Sequence, residues 1–126
     1  MTDATDLTQL VDAYIAMWNE THAGRRRALI ARTWVEGASY LDPVMQGEGR
    51  SGIDAMVAGV QQRFPGHRFR RTSEVDAHHD RLRFCWELAP EGGAALVKGT
   101  DVGVISDGKL TAITGFFDQV PAPAQS

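Results

Sequence analysis

The chain has 126 residues, is 43% hydrophobic and carries a formal net charge of −3. That length fits one domain around a single core, and the mild acidity excludes a dedicated nucleic-acid binder. Cys85 is the sole cysteine, so no internal disulfide can staple the fold, and no apolar run approaches the length of a membrane span.

The first seven residues hold neither the basic nor the apolar region of a signal peptide, so a soluble protein of the reducing cytoplasm is expected. Leu7, Leu10, Val11, Tyr14, Ile15 and Trp18 then recur at helical spacing, and Asp6 with Gln9 resembles a capping box. Tyr14 lies on the apolar stripe of this helix. A loop at 19–24 leads to a second helix at 25–34, whose Arg25-Arg26-Arg27 opening reads as a solvated face.

A short strand at 38–42 follows, with Ala38, Tyr40 and Asp42 on one face by period-two alternation and Pro43 holding Asp42 extended. Residues 46–52 read as a Gly-rich loop. Ser51 is the expected N-cap of a third helix carrying Ile53, Met56, Val57, Val60 and Phe64, ended by Pro65-Gly66.

From His67 the period changes to two. Residues 69–77 form a polar, edge-like strand, and 81–88 form a strand with Leu82, Phe84, Trp86 and Leu88 on one face. A turn at 90–93 precedes a long strand at 94–105. Asp107-Gly108 marks a tight hairpin into the last strand at 110–120, and a loose tail covers 121–126. The predicted architecture is one α+β domain, residues 1–120, with three helices on a curved, mainly antiparallel sheet. Such a cone must be filled by side chains or by a ligand. Gly99, Gly103 and Gly115 mark bends or close approaches within strands.

Asp42 and Asp101 both fall on faces expected to be buried, where a carboxylate is costly unless paired, hydrogen-bonded or protonated. With the Tyr14 phenol they outline an acid/base site. Other readings stay open: Asp42 capping the turn before Pro43, Asp101 meeting Lys98 or Arg83, and Tyr14 bonding a backbone carbonyl.

The order of elements, with Ala13-Tyr14-Ile15, Tyr40-Leu41-Asp42-Pro43, Gly49-Arg50-Ser51-Gly52-Ile53, Thr100-Asp101-Val102 and Asp107-Gly108-Lys109-Leu110, resembles the nuclear transport factor 2-like superfamily. The likeness runs from Leu7 to about Val120 and is nearest to the ketosteroid isomerases and SnoaL-like polyketide cyclases. It implies a general base at Asp42 and an oxyanion hole of Tyr14 and a protonated Asp101, a role logic for which ketosteroid isomerase is the worked example. The positions that would hold supporting tyrosines carry Trp34 and Val57. Gly99, in place of a larger apolar residue, implies a wider cavity, and Asp118 and His67 are additional polar groups.

The resemblance thus implies a cofactor-independent isomerase or cyclase acting on a hydrophobic, steroid- or polyketide-like ketone. Trp18, Trp34, Tyr40, Met45, Phe64, Phe84, Trp86, Val97, Gly99, Phe116 and Asp118 are the expected ligand contacts. Limonene-epoxide-hydrolase-like relatives offer another use of the acids, through Asp101 and Asp118. A non-catalytic binding module and an adaptor dimer are the competing classes. Leu96, Val102, Val104, Ile113 and Phe117 are expected on the outer sheet face, apolar enough for a homodimer.

No metal is expected, because adjacent His78 and His79 point to opposite strand faces while His22 and His67 sit in loops. Cys85 has no base beside it and reads poorly as a nucleophile.

Overall fold

In the computed structural model, which describes residues 4–121, helices α1 (Ala4–Asn19), α2 (Ala23–Thr33) and α3 (Gly49–Arg63) cover one face of a seven-stranded sheet. The strands are β1 (Trp34–Leu41), β2 (Gln46–Glu48), β3 (His67–Arg71), β4 (Asp76–His78), β5 (Arg81–Pro90), β6 (Val97–Ser106) and β7 (Lys109–Gln119). They pair in the order β2-β1-β7-β6-β5-β3, with β4 also on β5. The β1–β7 pair is parallel and joins the early strand to the meander, while the β3–β5, β4–β5, β5–β6 and β6–β7 pairs are antiparallel. The expected α+β cone is therefore the observed one. The expected tail at 122–126 lies outside the described residues.

Local differences have local causes. Asp6 sits in the first turn of α1, where a carboxylate suits the helix dipole, and is not its cap. His22 caps α2 by accepting the Arg25 N–H at its Nδ1, 3.2 Å away. Trp34 leaves that helix as the first residue of β1, so this strand starts four residues earlier than predicted. Gln46–Glu48 forms a short strand against β1, and α3 begins at once after Glu48 with Ser51 already inside it.

The strand expected at 69–77 is split in two. Between β3 and β4, the Ser73 hydroxyl accepts the Cys85 N–H at 2.8 Å, so a side-chain oxygen stands where a ladder carbonyl would. Thr72 N–H still reaches the Cys85 carbonyl at 2.9 Å. The hairpin after β6 behaves as its sequence requires, with Asp107 at φ 52° and Gly108 at φ 77°, both in the left-handed region of a tight primed turn.

One irregularity changes which residues face the helices. Ile105 pairs with Leu110, but Val104 pairs with Ala112, leaving Thr111 as an extra residue in β7. Beyond this bulge the alternation is inverted. Ile113 is 1% exposed and points inward, followed by Gly115 and Phe117, whereas Phe116 is 54% exposed on the outer face. The expectation of Ile113 and Phe117 outside and Phe116 inside is thereby reversed. The core between sheet and helices is built from Val11, Met17, Ile30, Trp34, Ile53, Val57, Leu82, Phe84, Leu110 and Ile113.

Candidate functional site

Packing between α1, the end of α3 and the bent sheet leaves a cavity of about 320 Å³. Trp18, Met45, Val60, Phe64, Phe69, Trp86, Leu88, Val97 and Phe117 give it an apolar wall. Trp18 stands edge-on to Tyr40 at 5.6 Å between ring centres, and Phe69 edge-on to Trp86 at 5.6 Å. These rings fix one another at aromatic pair distances.

The polar atoms gather at the floor. Asp101 is 2% exposed on β6. Its Oδ2 accepts the Tyr14 hydroxyl at 2.7 Å and its Oδ1 accepts the Trp86 indole N–H at 2.8 Å. Burial raises its pKa from the ordinary 3.8 to about 6; the Tyr14 and Trp86 donors oppose that rise, and the Asp42 charge adds to it. Burial, and then the neighbouring Asp101, hold the Tyr14 phenol well above its usual range. Tyr40 is raised in the same way by burial and by both aspartates.

Asp42 is 7% exposed just after β1. Its Oδ1 accepts the backbone N–H groups of Val44 and Met45 at 2.9 and 3.0 Å, and its Oδ2 accepts the Tyr40 hydroxyl at 2.7 Å. Both aspartates close around Gly115. A methyl there would lie 2.9 Å from Asp101 Oδ1, 3.2 Å from Asp42 Cβ and 3.3 Å from the Tyr40 oxygen. Only a residue without a side chain lets the two carboxyl groups share this floor.

This geometry has two proton arrangements. With Asp101 ionised, Tyr14 and Trp86 both donate to it. With Asp101 neutral, Trp86 keeps Oδ1, the acid proton occupies Oδ2 and is donated to the Tyr14 oxygen, and the phenol proton turns toward the cavity. Asp42 Oδ2, held by one hydrogen bond, keeps a lone pair in reserve.

The predicted catalytic trio Asp42, Tyr14 and Asp101 thus lines one cavity, together with Trp18, Tyr40, Met45, Phe64, Trp86 and Val97. The remaining expected contacts lie elsewhere. Trp34 is fully buried behind Tyr14 and donates its indole N–H to Met17 Sδ at 3.2 Å. Phe84 packs edge-on against Tyr14, 5.7 Å between ring centres, and does not reach the cavity. Gly99 does not widen it either, since the space beside its backbone is taken by the Trp86 ring, 2.3 Å from where a Cβ would sit. Phe116 faces outward across the sheet. Asp118 is on that same outer side, accepting the Thr100 hydroxyl at 2.8 Å, so the Asp101–Asp118 pairing of the hydrolase-like alternative is absent.

Sequence reasoning missed Phe117, Phe69, Val60, Leu88 and Arg63 as lining residues. Phe117 was hidden by the bulge. Val60 on α3 and Phe64, which caps its end, stand four apart, a spacing that carried a usable signal. Tyr40 as the partner of Asp42 was readable from their shared strand face. Among the described residues, no group of three or more His, Cys, Asp or Glu could hold a metal ion. No helix there is long and apolar enough to cross a membrane.

Comparison with known proteins adds a family likeness. No sequence-family model and no curated protein matches the chain. Among solved structures, it is similar to a proposed isomerase of the SnoaL-like family from Agrobacterium tumefaciens strain C58, with 39% identity, 90% of this chain and 98% of that chain covered, and a TM-score of 0.86. A proposed ketosteroid isomerase from Kribbella flavida is 21% identical over 100% of this chain and 87% of that chain, with a TM-score of 0.70. A proposed SnoaL-like polyketide cyclase from Jannaschia is 18% identical over 88% and 86%, with a TM-score of 0.66. These last two likenesses show the fold alone.

Proposed function

The chain belongs to the SnoaL-like family, and we propose that it is a cofactor-independent isomerase or cyclase that moves a proton next to a ketone in a hydrophobic substrate. The observation that carries this reading is the meeting of Asp42, Asp101 and the Tyr14 phenol at the floor of an otherwise apolar cavity. Asp42 Oδ2 takes the proton from the carbon beside the carbonyl, and the C–H electron pair becomes the enolate double bond. The negative charge moves to the carbonyl oxygen, which accepts the Tyr14 proton while neutral Asp101 donates to the phenol oxygen from behind. Donors already in place in a dry site stabilise such charge far better than water does. Return of the proton to a more distant carbon completes an isomerisation. Attack of the enolate carbon on a second carbonyl closes a ring.

The direct test is ultraviolet detection of conjugated enone from a β,γ-unsaturated ketosteroid, wild type against Asp42→Asn. The amide keeps the turn bonds but cannot take a proton, so turnover should fall about 10²–10⁴-fold with the fold intact. Should the steroid be inert, exchange of α-protons of apolar ketones in deuterated water reads the same step without presuming the product. Equal exchange in both proteins would overturn the assignment of Asp42. One observation favours a binding module instead: both backbone N–H groups on Asp42 Oδ1 make it a turn cap. A pure binder would show equal ligand affinity in wild type and Asp42→Asn and no turnover in either.

A homodimer through the outer sheet face stays part of the proposal, with the exposed Phe116 and Val102 as its apolar groups. A solution mass of one chain would remove it.

A further inference from the structure

The cavity floor carries two carboxyl groups, and its mouth carries one cation. Arg63, the last residue of α3, is exposed and lines the cavity beside Val44, Val120 and Pro121, which are exposed as well. Arg26, Arg50, Arg70 and Arg71 are engaged by carboxylates or backbone carbonyls. Among the described residues Arg63 has no ion-pair partner, although it borders the apolar cavity. The other polar lining side chains, Tyr14, Tyr40, Asp42 and Asp101, lie at the floor, where an anion would meet Asp42 and Asp101. An anionic group therefore has one favourable station in this cavity. An apolar ligand bearing one is oriented, with its neutral end down and its charged end up.

We propose that Arg63 is an anion-binding residue at the cavity mouth, and that the ligand is an apolar ketone with an anionic group, a carboxylate or a phosphate, remote from its reacting carbonyl. This rests on the proposed function for the carbonyl alone; the charge preference stands on the distribution of groups around the cavity. A guanidinium suits planar, two-point recognition of either anion. The anion sets which end enters, and so which carbon reaches Asp42.

An arginine in a last helical turn also has a plain use, opposing the carbonyl end of the helix dipole. The two roles separate in a binding experiment. The probes are a naphthyl-substituted alkanoic acid and its methyl ester, followed by the fluorescence of Trp18 and Trp86, which line the cavity. The wild type should bind the acid about two- to fivefold more tightly than the ester, the range of a solvent-exposed ion pair. Arg63→Gln should lose that preference with ester affinity unchanged. The preference should also shrink as salt is raised. A matching alkyl phosphate and its neutral triester tell which anion fits better.

The proposal is overturned if wild type binds acid and ester alike, if Arg63→Gln keeps the preference, or if none of the probes binds. An acid preference without α-proton exchange would sink the proposed reaction and leave the anion site standing. Exchange without an acid preference would do the reverse.

Discussion

At the residue scale, the two aspartates differ in what their surroundings ask of them. Asp42 accepts three hydrogen bonds, two from the backbone, which suit a charged carboxylate. Asp101 sits deeper and titrates near 6, so its neutral form is present within the working range of most enzymes. Because its folded pKa is raised, Asp101 stabilises the fold fully below about pH 4, and that contribution is lost as the pH rises to about 6. The full span is about 3 kcal/mol, from roughly two pK units. Asp101→Asn mimics the neutral acid: its carbonyl can accept the Trp86 N–H and its amide can donate to the Tyr14 oxygen. Its stability relative to wild type should therefore improve across that window and level off above it, as denaturant melts at a series of pH values would read. Parallel pH curves for the two proteins would mean Asp101 is not held neutral by its burial. Turnover should separate them too, the wild-type rate declining above about pH 6 as Tyr14 is recaptured by the charged carboxylate, and the Asn variant lacking that limb.

Elements explain both what was legible and what was not. Helical stripes, the Asp-Gly hairpin and the alternation of β5 follow from chain chemistry within a few residues, so the three helices and the antiparallel meander could be read directly. The shared face of Tyr40 and Asp42 and the inward face of Asp101 came the same way. Thr111 could not: a bulge has no composition of its own here, and one extra residue inverts the side chains from Ile113 to Phe117, until a second register shift at Asp118. That inversion brings Gly115 opposite Asp101 and Phe117 into the cavity, while Phe116 and Asp118 go out. The volume taken by Trp86 beside Gly99 was equally illegible, being set by a neighbouring strand. Gly115 is where this matters chemically. Gly115→Ala should cost about 1–3 kcal/mol by overpacking and lower turnover about 10²-fold by displacing a carboxyl group, since small misplacements are that costly. Gly103→Ala meets the flexible ends of Ile113, Leu82 and Leu110, away from the carboxyls, and should spare the rate. Comparable kinetics for the two variants would detach the site from the floor described above.

For the whole molecule, the bent sheet and the helices enclose more volume than the core side chains fill. Elsewhere the interior is closed by Trp34, Phe84, Ile53 and Ile113, yet around Trp18, Trp86 and Val97 it stays open. Interiors are ordinarily packed to crystal-like density, so such a void is a loss of dispersion contacts that a ligand would restore. Stability and function should then move in opposite directions when it is filled. Val97 is mostly buried on β6, lines the cavity and lies on the inward face with Asp101, a strand position that an aromatic side chain suits. Val97→Phe should raise stability by about 0.5–2 kcal/mol, the usual gain from cavity filling. The same variant should lose the stabilisation that wild type gains from a bound apolar ligand, about 2.7 kcal/mol at a hundredfold excess over its dissociation constant. Melting curves with and without ligand measure both effects at once. A variant that is less stable and still responds to ligand would place the binding volume somewhere other than above the two aspartates.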